Sequence, residues 1–149
     1  MGLIRKLMGL TLPLPLLLGG CTIFAPSYNE AIYAKLDGAH ASLTKIETSI
    51  EASSPSRVPY GKVEPYYIDA LAGVKEAADI AGKRPAYLRG RPAANAAQLL
   101  VDNIDNCRRA IEASRAAFKA DGQAPNEADN ISVVRNVCAI PKTMEGALK

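Results

Sequence analysis

Three cysteines and one histidine are the side chains in this 149-residue chain whose types could perform covalent or metal chemistry. The cysteines are Cys21, Cys107 and Cys138, and the histidine is His40. Asp37 lies one helical turn before His40, a spacing that allows the two to pair. The chain contains no Gly-x-Ser-x-Gly, His-Glu-x-x-His or phosphate-loop motif that would add a nucleophile or a phosphate site. We therefore expect no catalytic site and interpret His40 as a partly exposed helix residue.

The first cysteine ends a segment that is organised like a secretory signal. Arg5 and Lys6 precede an apolar run of 12 residues, which Pro13 and Pro15 interrupt. This run is shorter than the ~20 residues that a membrane-spanning helix needs. The segment closes with Leu18-Gly19-Gly20-Cys21, which resembles the lipobox of bacterial lipoproteins.

The lipobox resemblance implies that residues 1–20 are removed and that the Cys21 thiol carries a diacylglycerol, usually with a third acyl chain on the new amino terminus. Such a lipid anchor is effectively permanent. Thr22, where many lipoproteins kept at the inner membrane have Asp, implies the outer membrane facing the periplasm. A secreted protein without lipid is the alternative, and it would leave a cysteine at the cleavage position unexplained.

The composition after cleavage is that of one ordinary globular domain. About 129 residues would remain, and the chain is 48% apolar and 22% charged. The net charge of +3 falls to +1, because removing Arg5 and Lys6 leaves 16 basic against 15 acidic residues. Nearly balanced charge does not favour nucleic-acid binding.

The remaining cysteines, Cys107 and Cys138, suggest a disulfide, because an envelope compartment is oxidising. Two buried free thiols are an alternative. A metal site is a weaker one, since His40 is the only histidine and no Cys-x-x-Cys spacing occurs. We expect neither a metal nor a cofactor.

Apolar residues recur at spacings of three and four through most of the chain, which predicts amphipathic helices. The predicted boundaries are Tyr28 to Ser53 with Ser27 as N-cap, Pro65 to Gly82, Pro92 to Gly122, and a short helix from Asn126 that ends before Pro141. Narrow apolar stripes and short connections favour an all-α, up-down antiparallel bundle of three long helices plus a short C-terminal helix. A coiled-coil oligomer is the alternative for the bundle, and a strand is the alternative for the last element.

The bundle topology predicts the domain limits and supports the disulfide. We expect a tether at residues 21–26, the bundle at residues 27–141 and a flexible tail at residues 142–149. Cys107 lies 14 residues before Asp121, ~21 Å along its helix, and Cys138 lies 12 residues after Asn126, ~18 Å along the returning helix. Nearly equal depth on antiparallel helices makes a bridge between the two cysteines geometrically reasonable.

The connection from Gly82 to Arg91 is basic and contains no acid. Its cations are Lys83, Arg84, Arg89 and Arg91. Because the second helix returns toward the lipid anchor, we expect this connection to face phospholipid headgroups. A solvated loop, peptidoglycan carboxylates and an acidic protein partner are the alternatives.

Three tyrosines surround the opposite end of the second helix: Tyr60, Tyr66 and Tyr67. They suit the recognition of a protein or glycan, and they equally suit a cap on the bundle core.

We expect a lipid-anchored binding or scaffolding module with an envelope protein as partner and no catalysis. A carrier of a small or lipidic ligand between the helices is the alternative.

Overall fold

The computed structural model describes residues 25–149, so Cys21 and the lipobox lie outside the described residues. The described part contains five helices: α1 (Glu30–Ala52), α2 (Tyr60–Ala81), α3 (Arg84–Tyr87), α4 (Ala93–Asp121) and α5 (Glu127–Gly146). Residues 25–149 contain no strand, which confirms the all-α prediction. None of these helices is both long and apolar enough to cross a membrane.

The four long helices form an antiparallel bundle. Each packs against two neighbours, in the order α1, α2, α4, α5 and back to α1. The inward stripes are buried as their spacing predicts: Ile32, Leu36, Ala39, Leu43, Ile46 and Ile50 on α1, and Ala97, Leu100, Ile104, Cys107, Ile111 and Phe118 on α4. At the end of the bundle opposite the start of α1, Val58 N–H donates to Gln123 Oε1 at 2.6 Å. This hydrogen bond joins the α1–α2 loop to the α4–α5 loop.

The start of α1 differs from the prediction by two residues. Asn29, not Ser27, is the N-cap, and its Oδ1 accepts a hydrogen bond from Ile32 N–H at 3.1 Å. Asn satisfies a free helix amide as well as Ser does, so sequence preference alone does not separate the two. The backbone carbonyl of Ser27 instead accepts a hydrogen bond from Arg84.

Helix α2 begins five residues earlier than predicted, at Tyr60, and Pro65 lies inside it. A proline inside a helix removes one backbone hydrogen bond. The extra turn buries Val63 completely and packs Tyr60 against the core. The free energy gained by burying this apolar area offsets the lost hydrogen bond. The prediction that Pro65 lies in the first turn of the helix was therefore wrong.

Helix α5 is also longer than predicted. It has 20 residues, continues through Pro141 and ends at Gly146, so the expected short helix that ends before Pro141 is wrong. Pro141 and Glu145 are both buried. A proline such as Pro141 usually ends a helix. Here the contacts that bury the last turn stabilise the helix beyond it.

Candidate functional site

A buried ion pair organises the end of the bundle where the described chain begins. Arg84 Nη1 donates to Glu145 Oε2 at 2.7 Å, and Nη2 donates to Oε1 at 2.9 Å. Both side chains are almost inaccessible to solvent. Arg84 Nη2 also donates to the Ser27 carbonyl at 2.8 Å, and Asn29 N–H donates to Glu145 Oε1. The pair therefore joins α3, α5 and the entry to α1.

Arg84 therefore does not belong to a solvent-facing basic loop as the sequence suggested. Its charge is neutralised within the protein by Glu145. The other three cations of the connection, Lys83, Arg89 and Arg91, are exposed, and none of them takes part in an ion pair among the described residues. The connection lies at the end of the bundle where α1 begins, since Arg84 contacts Ser27.

An open cleft of about 870 Å³ lies at this same end. It is bordered by residues 25–28, by the connection between α3 and α4, and by the residues after α5. Its lining includes Tyr28, Leu88, Arg91, Pro92 and Leu148. Lys149 Nζ lies 4.2 Å from the ring centroid of Tyr33 and 5.3 Å from that of Tyr28, so the end of the chain packs beside the start of α1.

The tyrosines at the opposite end pack into the core. Tyr67 is completely buried, so it cannot form part of a partner surface in this fold. Its ring lies edge-on to Phe118 with centroids 6.5 Å apart, and its hydroxyl lies 2.9 Å from Ser114 Oγ. Burial raises the pKa of Tyr67 to about 12, because a phenolate there would lose its hydration, and the Ser114 hydrogen bond only partly opposes this.

Tyr60 and Tyr66 are half-buried and pack against the core. The Tyr60 hydroxyl accepts a hydrogen bond from Arg115 Nε at 2.9 Å and donates one to Glu64 Oε1 at 3.2 Å. Lys45 Nζ lies 5.7 Å from the Tyr66 ring centroid. Of the two interpretations of the tyrosine cluster, the cap on the bundle core is the one that these contacts favour.

His40 lies on α1, close to charged groups of α1 and α5. Its pKa is lowered chiefly because burial disfavours the imidazolium, and the positive charges of Lys142 and Arg135 add to this effect. Asp37 does not orient the imidazole; its Oδ1 instead accepts a hydrogen bond from Lys142 at 3.0 Å. Residues 25–149 contain no group of three or more potential metal ligands.

Cys107 and Cys138 form a disulfide in the structure, with their Cα atoms 4.6 Å apart. Both residues are buried, and the bond joins the middle of α4 to the middle of α5. The depth argument from the sequence placed the two residues correctly. This position indicates a structural crosslink.

An apolar surface on the α4–α5 side was missed by the sequence analysis. Val133 is 63% exposed, and Leu99 and Ile140 are about half exposed. Val133 and Ile140 are two turns apart and share one face of α5. Beside Val134 runs a groove of about 380 Å³ whose α4 wall includes Ala110, Ala113 and Ala117. Leu99 lies three turns before Ala110, on the same side of α4.

The signal for this α4–α5 surface was present in the sequence. Val133 and Ile140 are apolar residues at positions outside the inward stripe of α5. Their exposure became evident only when the packing of α5 against α1 and α4 established which face points inward.

No protein-family model, curated protein or solved structure matches this chain.

Proposed function

We propose that this protein is anchored by a lipid on Cys21 in a bacterial envelope, at the outer membrane facing the periplasm, and binds a partner protein there without catalysing a reaction. The lipobox tetrapeptide supports the anchor. The exposed apolar surface on α4 and α5 supports the binding role. Large apolar side chains that form a contiguous exposed patch on a folded monomer are commonly covered by a partner.

The partner proposed is a protein with an apolar helix, which the α4–α5 groove suits. Alanine side chains on α4 leave room for a close backbone approach. Val133 and Ile140 lie outside the groove lining, on an exposed face of α5, and add apolar contact area there. The end with the tyrosine cluster is a weaker candidate because Tyr67 is internal. The ligand-carrier alternative has less support, because the clefts of about 380 to 870 Å³ all open at the surface and the core contains the Tyr67–Phe118 cluster and the disulfide.

The anchor is tested by intact mass spectrometry of protein purified from membranes. The expected mass is that of a chain beginning at Cys21 with a diacylglycerol and, in most molecules, a further acyl chain. An unmodified amino terminus would contradict the anchor. A hydrophobic molecule retained by the folded domain in the same spectrum would favour the carrier over the partner-binding role.

Partner binding is tested with a photo-crosslinking amino acid at Ala113, inside the groove, in intact cells. We expect one crosslinked protein, and we expect Ile140→Asp to abolish the adduct because the introduced charge would be desolvated at the interface. Ile68→Asp is the matched control, since Ile68 is 50% exposed on α2 and its change should leave the adduct intact. Equal adducts in both variants would contradict this use of the α4–α5 surface.

A further inference from the structure

The end of the bundle nearest the proposed anchor differs in charge from the opposite end. The exposed side chains of the connection between α2 and α4 include Lys83, Arg89 and Arg91, and Lys149 lies at the same end. No acid occurs in residues 82–92, and the buried Glu145 is already neutralised by Arg84. Glu30 and Asp79 are the acids in the adjoining helix turns.

At the opposite end, cations and acids are mixed. Arg115 pairs with Glu64, and the α4–α5 loop is flanked by Asp121 and Glu127. The exposed cations of that end, Arg57, Lys62 and Lys119, are accompanied by as many exposed acids, Glu51, Asp121 and Asp129. Exposed cations outnumber acids only at the end that carries the connection between α2 and α4. An anionic surface that meets the molecule from that side would be attracted to it.

Tyr87 adds an amphipathic ring to the basic end. Tyr87 is the last residue of the short helix α3. Its side chain is 68% exposed, more than any other large hydrophobic residue in the described part of the chain. Tyrosine is enriched at membrane–water interfaces, because the ring enters the headgroup region while the hydroxyl stays hydrated.

The tether length brings this end close to the bilayer. Only four peptide units separate Cys21 from Ala25, which limits the distance between them to about 14 Å. Ser27, just beyond, is hydrogen-bonded to Arg84, and Asn29 is hydrogen-bonded to Glu145. The Arg84–Glu145 pair therefore holds the entry of the tether against the segment that carries the exposed cations.

We infer that Lys83, Arg89, Arg91 and Tyr87 form a membrane-contact face that docks on anionic phospholipid headgroups and holds the bundle upright on the bilayer. This inference rests on the proposed lipid anchor. The anchor supplies permanent attachment, and the contact face determines which end of the bundle meets the lipid. The α4–α5 surface, which runs along the side of the bundle, then remains free for a protein partner.

The test uses the acylated protein in vesicles of phosphatidylcholine, with and without phosphatidylglycerol. The chain contains no tryptophan, so Tyr87→Trp introduces a single indole whose fluorescence brominated phospholipids quench on contact. Ser56→Trp, in the exposed loop at the other end, is the control. We expect strong quenching for Tyr87→Trp with phosphatidylglycerol, weak quenching without it, and none above background for Ser56→Trp.

The charge requirement is tested by Lys83→Gln, Arg89→Gln and Arg91→Gln together in the Tyr87→Trp background. Loss of three cations should lower the docking constant, measured by quenching as the anionic lipid fraction rises, on the order of 100-fold. The matched control neutralises three exposed cations at the other end, Arg57, Lys62 and Lys119, and should leave quenching unchanged. Salt at 1 M should also abolish the difference between the two vesicle types.

Two results would overturn the contact face: quenching of Tyr87→Trp that equals that of Ser56→Trp, or quenching that is the same with and without phosphatidylglycerol. Failure of the anchor gives a different result. A protein without lipid would not float with phosphatidylcholine vesicles in a density gradient, whereas its quenching by phosphatidylglycerol vesicles would still report on the contact face.

Discussion

The Arg84–Glu145 pair is the residue-level feature on which the end of the bundle where α1 begins depends. Two charges buried together are stable only if each is fully hydrogen-bonded, because water no longer solvates them. The guanidinium of Arg84 donates to both oxygens of Glu145, and the backbone at Ser27 and Asn29 adds one further hydrogen bond to each partner. Removing one partner would leave the other charge buried without compensation.

Arg84→Met should therefore lower the free energy of unfolding by about 3–5 kcal/mol, since Glu145 would remain buried without its cation. Chemical denaturation monitored by circular dichroism measures this loss. Combining Arg84→Met with Glu145→Met should recover part of it, because no charge is then buried. The matched control is Lys35→Met in the exposed pair with Glu76, expected to cost less than about 1 kcal/mol. Similar losses in both single variants would contradict the role of the buried pair.

Tyr67 should make the protein sensitive to alkaline pH. Its pKa is about 12 in the folded protein against an ordinary value of 10.0, so the folded state holds the proton more tightly. The associated stability is fully present below pH 10 and is lost as the pH rises through 12, about 2–3 kcal/mol in total. Unfolding free energies measured across this range should fall more steeply for the wild type than for Tyr67→Phe.

Tyr66→Phe is the control for the Tyr67 prediction, because Tyr66 is only half-buried. Its pH profile should follow that of the wild type, because the buried Tyr67 hydroxyl is still present in this variant. Parallel profiles for the wild type and Tyr67→Phe would show that burial of this hydroxyl does not couple to its ionisation.

At the level of the elements, the sequence predicts which positions of a helix are buried better than it predicts where the helix begins and ends. The stripes of α1 and α4 follow from spacings of three and four, which local geometry dictates. The positions of Pro65 and Pro141 do not follow from local preference. Each proline costs one backbone hydrogen bond, and each is retained inside a helix because packing beyond it buries further side chains, Val63 in α2 and Glu145 in α5.

The α1–α2 contact depends on a glycine that permits close approach. A Cβ at Gly73 would lie 2.9 Å from the Lys35 carbonyl oxygen, which belongs to the backbone and cannot move independently. Gly73→Ala should therefore destabilise the protein by about 1–3 kcal/mol. Gly38→Ala, on an open face of α1, should instead stabilise it by about 0.5–1 kcal/mol. Thermal and denaturant unfolding of the two variants compares them, and the same sign for both would refute this account.

At the level of the whole molecule, the disulfide joins α4 and α5 across a sequence separation of 31 residues. In the chain-entropy model, opening such a loop lowers the free energy of unfolding by about 3–4 kcal/mol. Replacing Cys107 and Cys138 with alanine should produce this loss. Reductant should lower the unfolding midpoint of the wild type and leave that of the double variant unchanged; a wild type that is insensitive to reductant would contradict a stabilising crosslink.

The sequence by itself determined the helical class and the inward stripes of α1 and α4, because both follow from the periodicity of a single helix. It also determined the similar depth of Cys107 and Cys138, because short connections place consecutive helices antiparallel. Only the tertiary structure decided that Arg84 is internal, that Tyr67 belongs to the core and that Val133 is exposed. Arg84 and Glu145 are 61 residues apart. Whether two such residues meet depends on how the helices rotate against one another, and that rotation is established by packing the whole bundle at once.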